Sequence, residues 1–158
     1  MAVAIWLAAC LWGYVTHPRR YSEFVSRYSA EFGVEEYVVY SVIKAESGFD
    51  KDAVSQKGAC GLMQLMPDTY GWLLTMMHEE KGDIFDPEEN IKYGTYYLSL
   101  LYEKYGNWKH ALCAYNAGMG NVDKWLMETP FEISFPETQR YVNKLEVAMG
   151  KYKRLYYE

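Results

Sequence analysis

Few residues in this 158-residue chain combine a reactive type with a spacing that chemistry can use. His17, His78 and His110 are scattered and form no H-E-x-x-H pattern, so metal-assisted hydrolysis lacks a ligand set. Cys10, Cys60 and Cys113 contain no C-x-x-C pair, and neither a metal nor a cofactor is expected. No G-x-S-x-G elbow presents a serine nucleophile, and no glycine-rich phosphate loop follows a strand. Acid–base chemistry by carboxylates is left, and one carboxylate is set against its surroundings. Glu46 closes the apolar run of "VEEYVVYSVIKAESG", before a polar loop and the turn "GLMQLMP". In the last turn of a helix a carboxylate opposes the dipole by up to about 1 kcal/mol. That placement hints at use, although a solvated helix end explains Glu46 equally well at this stage.

The elements that must hold such a group read as helices almost throughout. "YSEFVSRYSAEFG" is a short helix that Gly33 stops with a left-handed cap. Val34, Val38, Ser41, Val42 and Ala45 then share a face, and this i, i+4 pattern with Gly48 as the stop outweighs the β-branched content. Residues 50–66 read as loop, and Pro67 suits the first position of a new helix. At "DPEE", Asp86 caps, Pro87 takes the first helical position and Glu89 is the reciprocal capping-box partner. Ile91, Thr95, Leu98, Leu101, Tyr102 and Tyr105 continue as its buried stripe to Gly106. Asn107 caps "WKHALCAYNAG", "NVDKWLM" adds one or two turns, and a final helix opens at Ser134 with Glu137 in capping-box register. No repeat or interdomain linker interrupts the series. An all-α domain with a central glycine-rich loop is predicted.

Four segments along this frame are specific together: "ESGF" at 46–49, "GLMQLMP" at 61–67, "AYNAG" at 114–118 and "PETQRYVNKL" at 136–145. In this order and spacing they resemble the transglycosylase SLT domain of bacterial lytic transglycosylases, whose fold is similar to that of goose-type lysozymes. The resemblance covers roughly residues 21–157. Gln139 stands where arginine is more usual, and Cys60 and Cys113 occupy positions that often hold small residues. It implies an all-α, lysozyme-like fold with little or no sheet, in which the loop borders a glycan cleft. It also makes Glu46 the catalytic acid. Ser47 would orient Glu46 or the substrate acetamido group, and Gly61 would let the sugar approach. The Met63–Met66 segment would form a cleft wall with Gln64 hydrogen-bonding, and Tyr115 and Asn116 would border the reactive sugar. Glu137 would touch the glycan as well. Each has a plainer reading beside it. Gln64 can stabilise a turn, Tyr115 can be core, Asn116 can cap a helix end, and Glu137 can complete a capping box. The methionines at 63, 66, 76 and 77 read as packing, and His78 and His110 as solvent-facing.

Chemistry sets its own conditions on Glu46. To protonate a glycosidic oxygen near neutral pH, its pKa must rise well above about 4.3, which burial among apolar neighbours achieves. Ile43, Phe49, Leu62, Met63, Leu65 and Met66 are available as that wall. A glycosidase ordinarily pairs its acid with a second carboxylate, yet Asp50, Asp52, Asp68, Asp83 and Asp86 have no motif reason to face Glu46. The resembled family needs only one. Its glutamate protonates the oxygen between N-acetylmuramic acid and N-acetylglucosamine, then takes the proton of the C6 hydroxyl as that oxygen closes on C1. The implied function is a peptidoglycan lytic transglycosylase that leaves 1,6-anhydromuramoyl ends. A lysozyme-like hydrolase that activates water and a non-catalytic glycan-binding module are the alternatives.

Composition agrees with one domain of this kind. Half of the residues are apolar and 23% are charged, which excludes a disordered chain. A net charge of −5 argues against nucleic acid as a partner, and a monomer acting on peptidoglycan strands is expected. Residues 2–15 carry no charge, but 14 residues fall short of the roughly 20 that span a bilayer as a helix. Residues 1–20 therefore read as a trimmed signal or membrane anchor, and residues 21–158 as the catalytic domain. An exported protein of the cell envelope is expected, either anchored to the membrane through that segment or secreted. Cys60 and Cys113 read as buried thiols, with a bridge between them open in an exported chain.

Overall fold

The computed structural model of the chain describes residues 12–80 and 82–158. Seven helices follow a helical stretch at 12–16: α1 Ser22–Phe32, α2 Glu36–Glu46, α3 Pro67–Met77, α4 Pro87–Tyr105, α5 Trp108–Ala117, α6 Met119–Leu126 and α7 Pro136–Tyr156. Among the described residues there is no strand; two isolated bridges, Val54 with Cys60 and Cys60 with Leu65, tie the loop between α2 and α3.

Local chemistry sets the helix ends. Gly33 and Gly106 stop α1 and α4 in the left-handed conformation, at φ 67° and 70°. Asp86 accepts hydrogen bonds from the Glu88 and Glu89 amides, and Asn107 accepts from the His110 amide. The reciprocal half of the Asp86 box is absent. The Glu89 carboxylate accepts from the Tyr70 hydroxyl instead, and the Asp86 amide donates to the Asp83 carbonyl. Nor does Ser134 open the last helix. Pro136 takes the first helical position, Phe135 becomes the N-cap, and no side chain caps it. Ser134 and Glu137 are both exposed, which removes the capping-box reading of Glu137. Tyr102 departs from the buried stripe of α4 as well; it is exposed, with its ring 4.4 Å from that of Trp108.

Helix α2 runs through the core, with Val38, Val39, Tyr40, Val42 and Ile43 all fully buried. Burial of each apolar side chain contributes roughly 1.5–3 kcal/mol, so α2 is anchored along its length. It packs on α1 and α7, while α5 joins α4 to α7. The end of α2 is thereby delivered to the meeting point of α7 and the glycine-rich loop. A smaller cluster of Leu65, Tyr70, Leu73, Leu74 and Tyr93 seats α3 on α4.

Residues 1–11, where most of the expected signal or anchor falls, lie outside the described residues. From residue 12 onward the segment packs on α7. Tyr152 and Tyr156 donate hydrogen bonds to the carbonyls of Pro18 and His17, at 3.1 and 2.7 Å. No helix among the described residues is long and apolar enough to cross a membrane. Cys60 and Cys113 are buried free thiols, and burial pushes the Cys113 thiol up to about 11.

Candidate active site

The last residue of α2 is Glu46, and the buried stripe of that helix holds its side chain half-buried at the end of the core. Loss of hydration penalises the anion and raises the pKa from 4.5 to about 7. Two groups hold it back from rising further. The Tyr141 hydroxyl, on α7, donates to Glu46 Oε1 at 2.6 Å, and Lys144 adds a nearby positive charge. Lys144 is fixed there by donating to the Ala45 carbonyl at 3.1 Å. A carboxyl balanced near neutrality can give up a proton and take one back. Tyr141 is itself held far above its ordinary pKa by burial and by Glu46, so it stays a donor.

The loop that faces this carboxyl is braced from within. Ser47 Oγ donates to the Leu62 carbonyl at 2.8 Å and accepts from the Phe49 amide at 3.1 Å. Its hydroxyl thus ties the loop to the end of α2 rather than touching Glu46. Gln64 sits at φ 50° and donates its amide to the Ala53 and Gly61 carbonyls, at 3.1 and 2.9 Å. Buried Asn90 carries the load from below: it accepts from the Met63 amide at 2.7 Å and donates to the Cys60 and Ile84 carbonyls. Gly61 makes room for Asn90, because a Cβ there would lie 2.4 Å from Asn90 Nδ2, at φ +76°. Met63 is fully buried, and a Cβ on Gly94 would meet its sulfur at 2.4 Å. Its side chain therefore forms no cleft wall; its carbonyl does the work, accepting from the Tyr115 hydroxyl at 2.7 Å. Of the Met63–Met66 segment, Met66 is the residue exposed at the surface.

Tyr115 and Asn116 lie in the last turn of α5, and Tyr115 is near enough to feel the charge of Glu46. The Tyr115 phenol is raised well above its ordinary pKa by burial and then by the charge of Glu46. Asn116 is exposed and accepts from Thr138 Oγ1 at 2.8 Å, which joins α5 to the start of α7. Glu137, one residue before, is exposed in the first turn of α7 and makes no side-chain bond among the described residues. A run of rings continues from Tyr115: the Tyr97 ring lies 5.3 Å from that of Tyr115, and the ring of half-exposed Trp72 lies 6.2 Å from that of Tyr97. Such a ledge can stack on the faces of sugar rings.

The charged group that acts on Glu46 is a lysine, not a carboxylate. Asp50 turns its side chain onto the Asp52 amide, Asp52 pairs with Lys51, and Asp86 caps α4. Among the described residues, no group of three or more His, Cys, Asp or Glu side chains is arranged to hold a metal ion. Tyr141, Lys144 and Asn90 carry no local signal of their roles in the sequence. The first two stand within "PETQRYVNKL", but nothing local marks one tyrosine among 16 as the partner of a residue 95 positions away.

Residues 23–134 match the sequence family described as the transglycosylase SLT domain, a span that holds Glu46, the loop and Tyr115 but ends before α7. The soluble lytic murein transglycosylase of Escherichia coli K12 is 30% identical over 99% of this chain, which covers 26% of that protein. The membrane-bound lytic murein transglycosylase C of Actinobacillus succinogenes is 32% identical over 72% of the chain and 36% of its own length. Among solved structures, an inactive glutamate-to-glutamine mutant of the lytic transglycosylase Slt from Pseudomonas aeruginosa superimposes with a TM-score of 0.84. It is 29% identical, over 89% of this chain and 25% of that one. The chain thus spans about a quarter of the length of the first of these relatives.

Proposed function

The chain belongs to the transglycosylase SLT domain family, and from that membership we propose that it is a lytic transglycosylase of bacterial peptidoglycan. Its substrate is the β-1,4 bond between N-acetylmuramic acid and N-acetylglucosamine, and Glu46 serves both steps. The protonated carboxyl gives its proton to the glycosidic oxygen as the C1–O bond breaks, and the 2-acetamido oxygen covers the developing cation as an oxazolinium. The carboxylate that remains takes the proton of the C6 hydroxyl, whose oxygen closes on C1. The acid is restored, no water is consumed, and a 1,6-anhydromuramoyl end is left.

One observation carries this reading: a carboxyl lifted to about 7 by burial, with a tyrosine and a lysine rather than a second carboxylate acting on it. Two-carboxylate hydrolysis requires a partner across the sugar. Tyr141 holds the carboxyl in one orientation through both proton transfers. Ser47, Gln64 and Asn90 keep the loop rigid against it, and Tyr115 and the Tyr97–Trp72 ledge offer stacking surface for neighbouring sugars. Asn116, Met66 and Glu137 stand exposed at the margins, where the strand would pass. We place the protein in the cell envelope as a monomer, attached to the membrane through its apolar first residues. Soluble and membrane-bound relatives both carry this domain.

The test is mass analysis of glycan fragments released from purified cell wall by the wild type and by Glu46→Gln. Anhydro ends, lighter by one water than reducing ends, are expected from the wild type. The variant should lose at least about 10³-fold of that activity, the scale set by removing an essential acid. Reducing ends from the wild type would turn the assignment into a hydrolase. Glycan binding without any cutting would make the domain a binding module.

A further inference from the structure

A cavity of about 570 Å³ opens between α2, α7 and residues 12–17, separate from the face where Glu46 meets Tyr141. Four cations line it, Lys44 on α2 and Lys144, Lys151 and Arg154 on α7, in a chain whose net charge is −5. None of the four pairs with a carboxylate among the described residues, although six other lysines and arginines do. Their mutual repulsion is felt: Lys44, which donates to the Thr16 carbonyl, is held below its ordinary pKa by burial and then by Lys144 and Lys151. Buried His17 is lowered by the same burial and by Lys44 and Lys151. Like charges gathered in a groove without counter-charge are costly unless an anion comes to them.

The apolar part of the surface narrows what that anion is. Lys144, Val147, Lys151 and Arg154 recur at helical spacing, so one stripe of α7 presents cations with an apolar residue between them. Trp12 is 69% exposed, Val15 71% and Val147 60%, and Trp12 and Val147 line the cavity itself. A free phosphate or an acidic sugar would satisfy the cations and leave these side chains in water. Trp12 and Gly13, which belong to the uncharged run 2–15 of the sequence, also line this groove. Lysine and arginine beside an exposed tryptophan match the boundary between headgroups and acyl chains.

We propose that this groove docks on an anionic lipid bilayer, its lysines and arginine meeting headgroup phosphates while Trp12, Val15 and Val147 enter the interface. The contact differs from insertion of the apolar first residues alone, because cations on α2 and α7 of the folded domain act in it beside Trp12 and Val15. It fixes the orientation of the domain. Lys144 borders both the groove and the Glu46 carboxyl, so the cleft is held beside the membrane surface and opens along it.

The experiment is sedimentation of the full chain with vesicles of pure phosphatidylcholine and with vesicles containing 30% phosphatidylglycerol. Wild type should bind the anionic vesicles more tightly, and the excess should fade as salt is raised from 0.1 to 0.5 M. Each cation at a lipid surface is worth about 1 kcal/mol, or roughly 5-fold. Lys151→Glu with Arg154→Glu should therefore lose about 25-fold or more on anionic vesicles and change by less than about 2-fold on neutral ones. The milder pair Lys151→Gln with Arg154→Gln keeps the test alive if the first fails to fold. Reversal of Lys109 and Lys124, exposed but outside the groove, should have less than a third of the effect on a logarithmic scale. Equal affinity for the two vesicle types would overturn the proposal, as would equal losses from both pairs. Retained vesicle binding with lost sedimentation on purified wall would overturn it too, and would give the groove to the wall polymer. Formation of anhydro ends on soluble glycan, measured in the same preparations, reports the catalytic reading separately.

Discussion

Three glutamates in this molecule accept a hydrogen bond from a tyrosine at the same 2.6 Å, and two of them, Glu46 and Glu79, end in opposite states. Tyr141 donates to Glu46, whose pKa stands at about 7. Tyr93 donates to Glu79, whose pKa lies below its ordinary value. The shared bond favours the anion in both cases. What differs is the rest of the surroundings. Glu79 sits at the surface with Lys92 on both of its oxygens at 2.6 Å, and these bonds outweigh its small loss of hydration. Glu46 has been drawn in by the core of α2, and its lysine acts only through space. A hydrogen bond from tyrosine therefore orients a carboxyl without deciding its charge; burial and the nearest cation decide that.

The strongest way to break this contrast is through stability. Glu46 has a raised folded pKa, so the native state binds more protons than the unfolded chain between pH 4.5 and 7. Stability attributable to this residue is therefore highest below pH 4.5 and declines as pH rises to 7. A shift from 4.5 to about 7 corresponds to a penalty of about 3 kcal/mol once the group is fully ionised. Glu46→Gln keeps the shape and the acceptor for Tyr141 and removes the charge. Denaturant unfolding should find it no more stable than wild type at pH 4.5 and up to about 3 kcal/mol more stable at pH 8.5. If wild type is the more stable protein at pH 8.5, burial does not raise this carboxyl and the acid role fails with it.

The two sites were unequally legible in the sequence, and the reason is distance along the chain. Asp86 with Pro87, Pro67, Asn107 and the glycines at 33, 106 and 118 act on backbone within a few residues, so the helix order and most ends could be read directly. Glu46 was legible because a carboxylate in a last turn opposes its own helix, and its neighbours in "ESGF" and "GLMQLMP" supplied the resemblance. The errors came where two local signals compete. Ser134 and Glu137 fit a capping box, but Pro136 between them claims the first helical position and moves the cap to Phe135. At Gly61 the sequence suggested room for a ligand, and the packing adds a demand that local sequence does not show, room for Asn90, 29 residues further on. Tyr141 needed the packing of α2 on α7 before it could be seen at all.

Replacing Tyr141 sharpens the contrast from the side of the shared bond. Because the hydroxyl favours the ionised form of Glu46, Tyr141→Phe should raise the pKa of Glu46 above 7. The high-pH limb of the activity profile, where wild type loses its proton donor, should then move to higher pH. Loss of the orienting bond should reduce kcat by about 10-fold or more, in line with the roughly 1.5–3 kcal/mol of a hydrogen bond to a charged group. A tyrosine that merely fills space would lower activity without moving the limb. A limb that stays in place or moves down would remove Tyr141 from proton transfer.

The smallest effect belongs to the outer pair, and it isolates burial from partner charge. Lys92→Met removes the two lysine hydrogen bonds that are the largest cause of Glu79 lying below its ordinary value. Glu79 is partly exposed, with 38% of its side chain open to solvent, so the loss of stability at pH 7 should be between 0 and about 1 kcal/mol. The sign follows from linkage. A depressed folded pKa contributes stability that is present above the unfolded value and lost as pH falls through the folded one. The variant should therefore lose less stability than wild type on acidification. Titration of the Glu79 carboxyl by NMR should return it to the ordinary glutamate range, with Tyr93 still donating. If the pKa climbed instead to near 7, absence of a direct cation alone would reproduce the state of Glu46, and burial by α2 would not be what separates the two carboxylates.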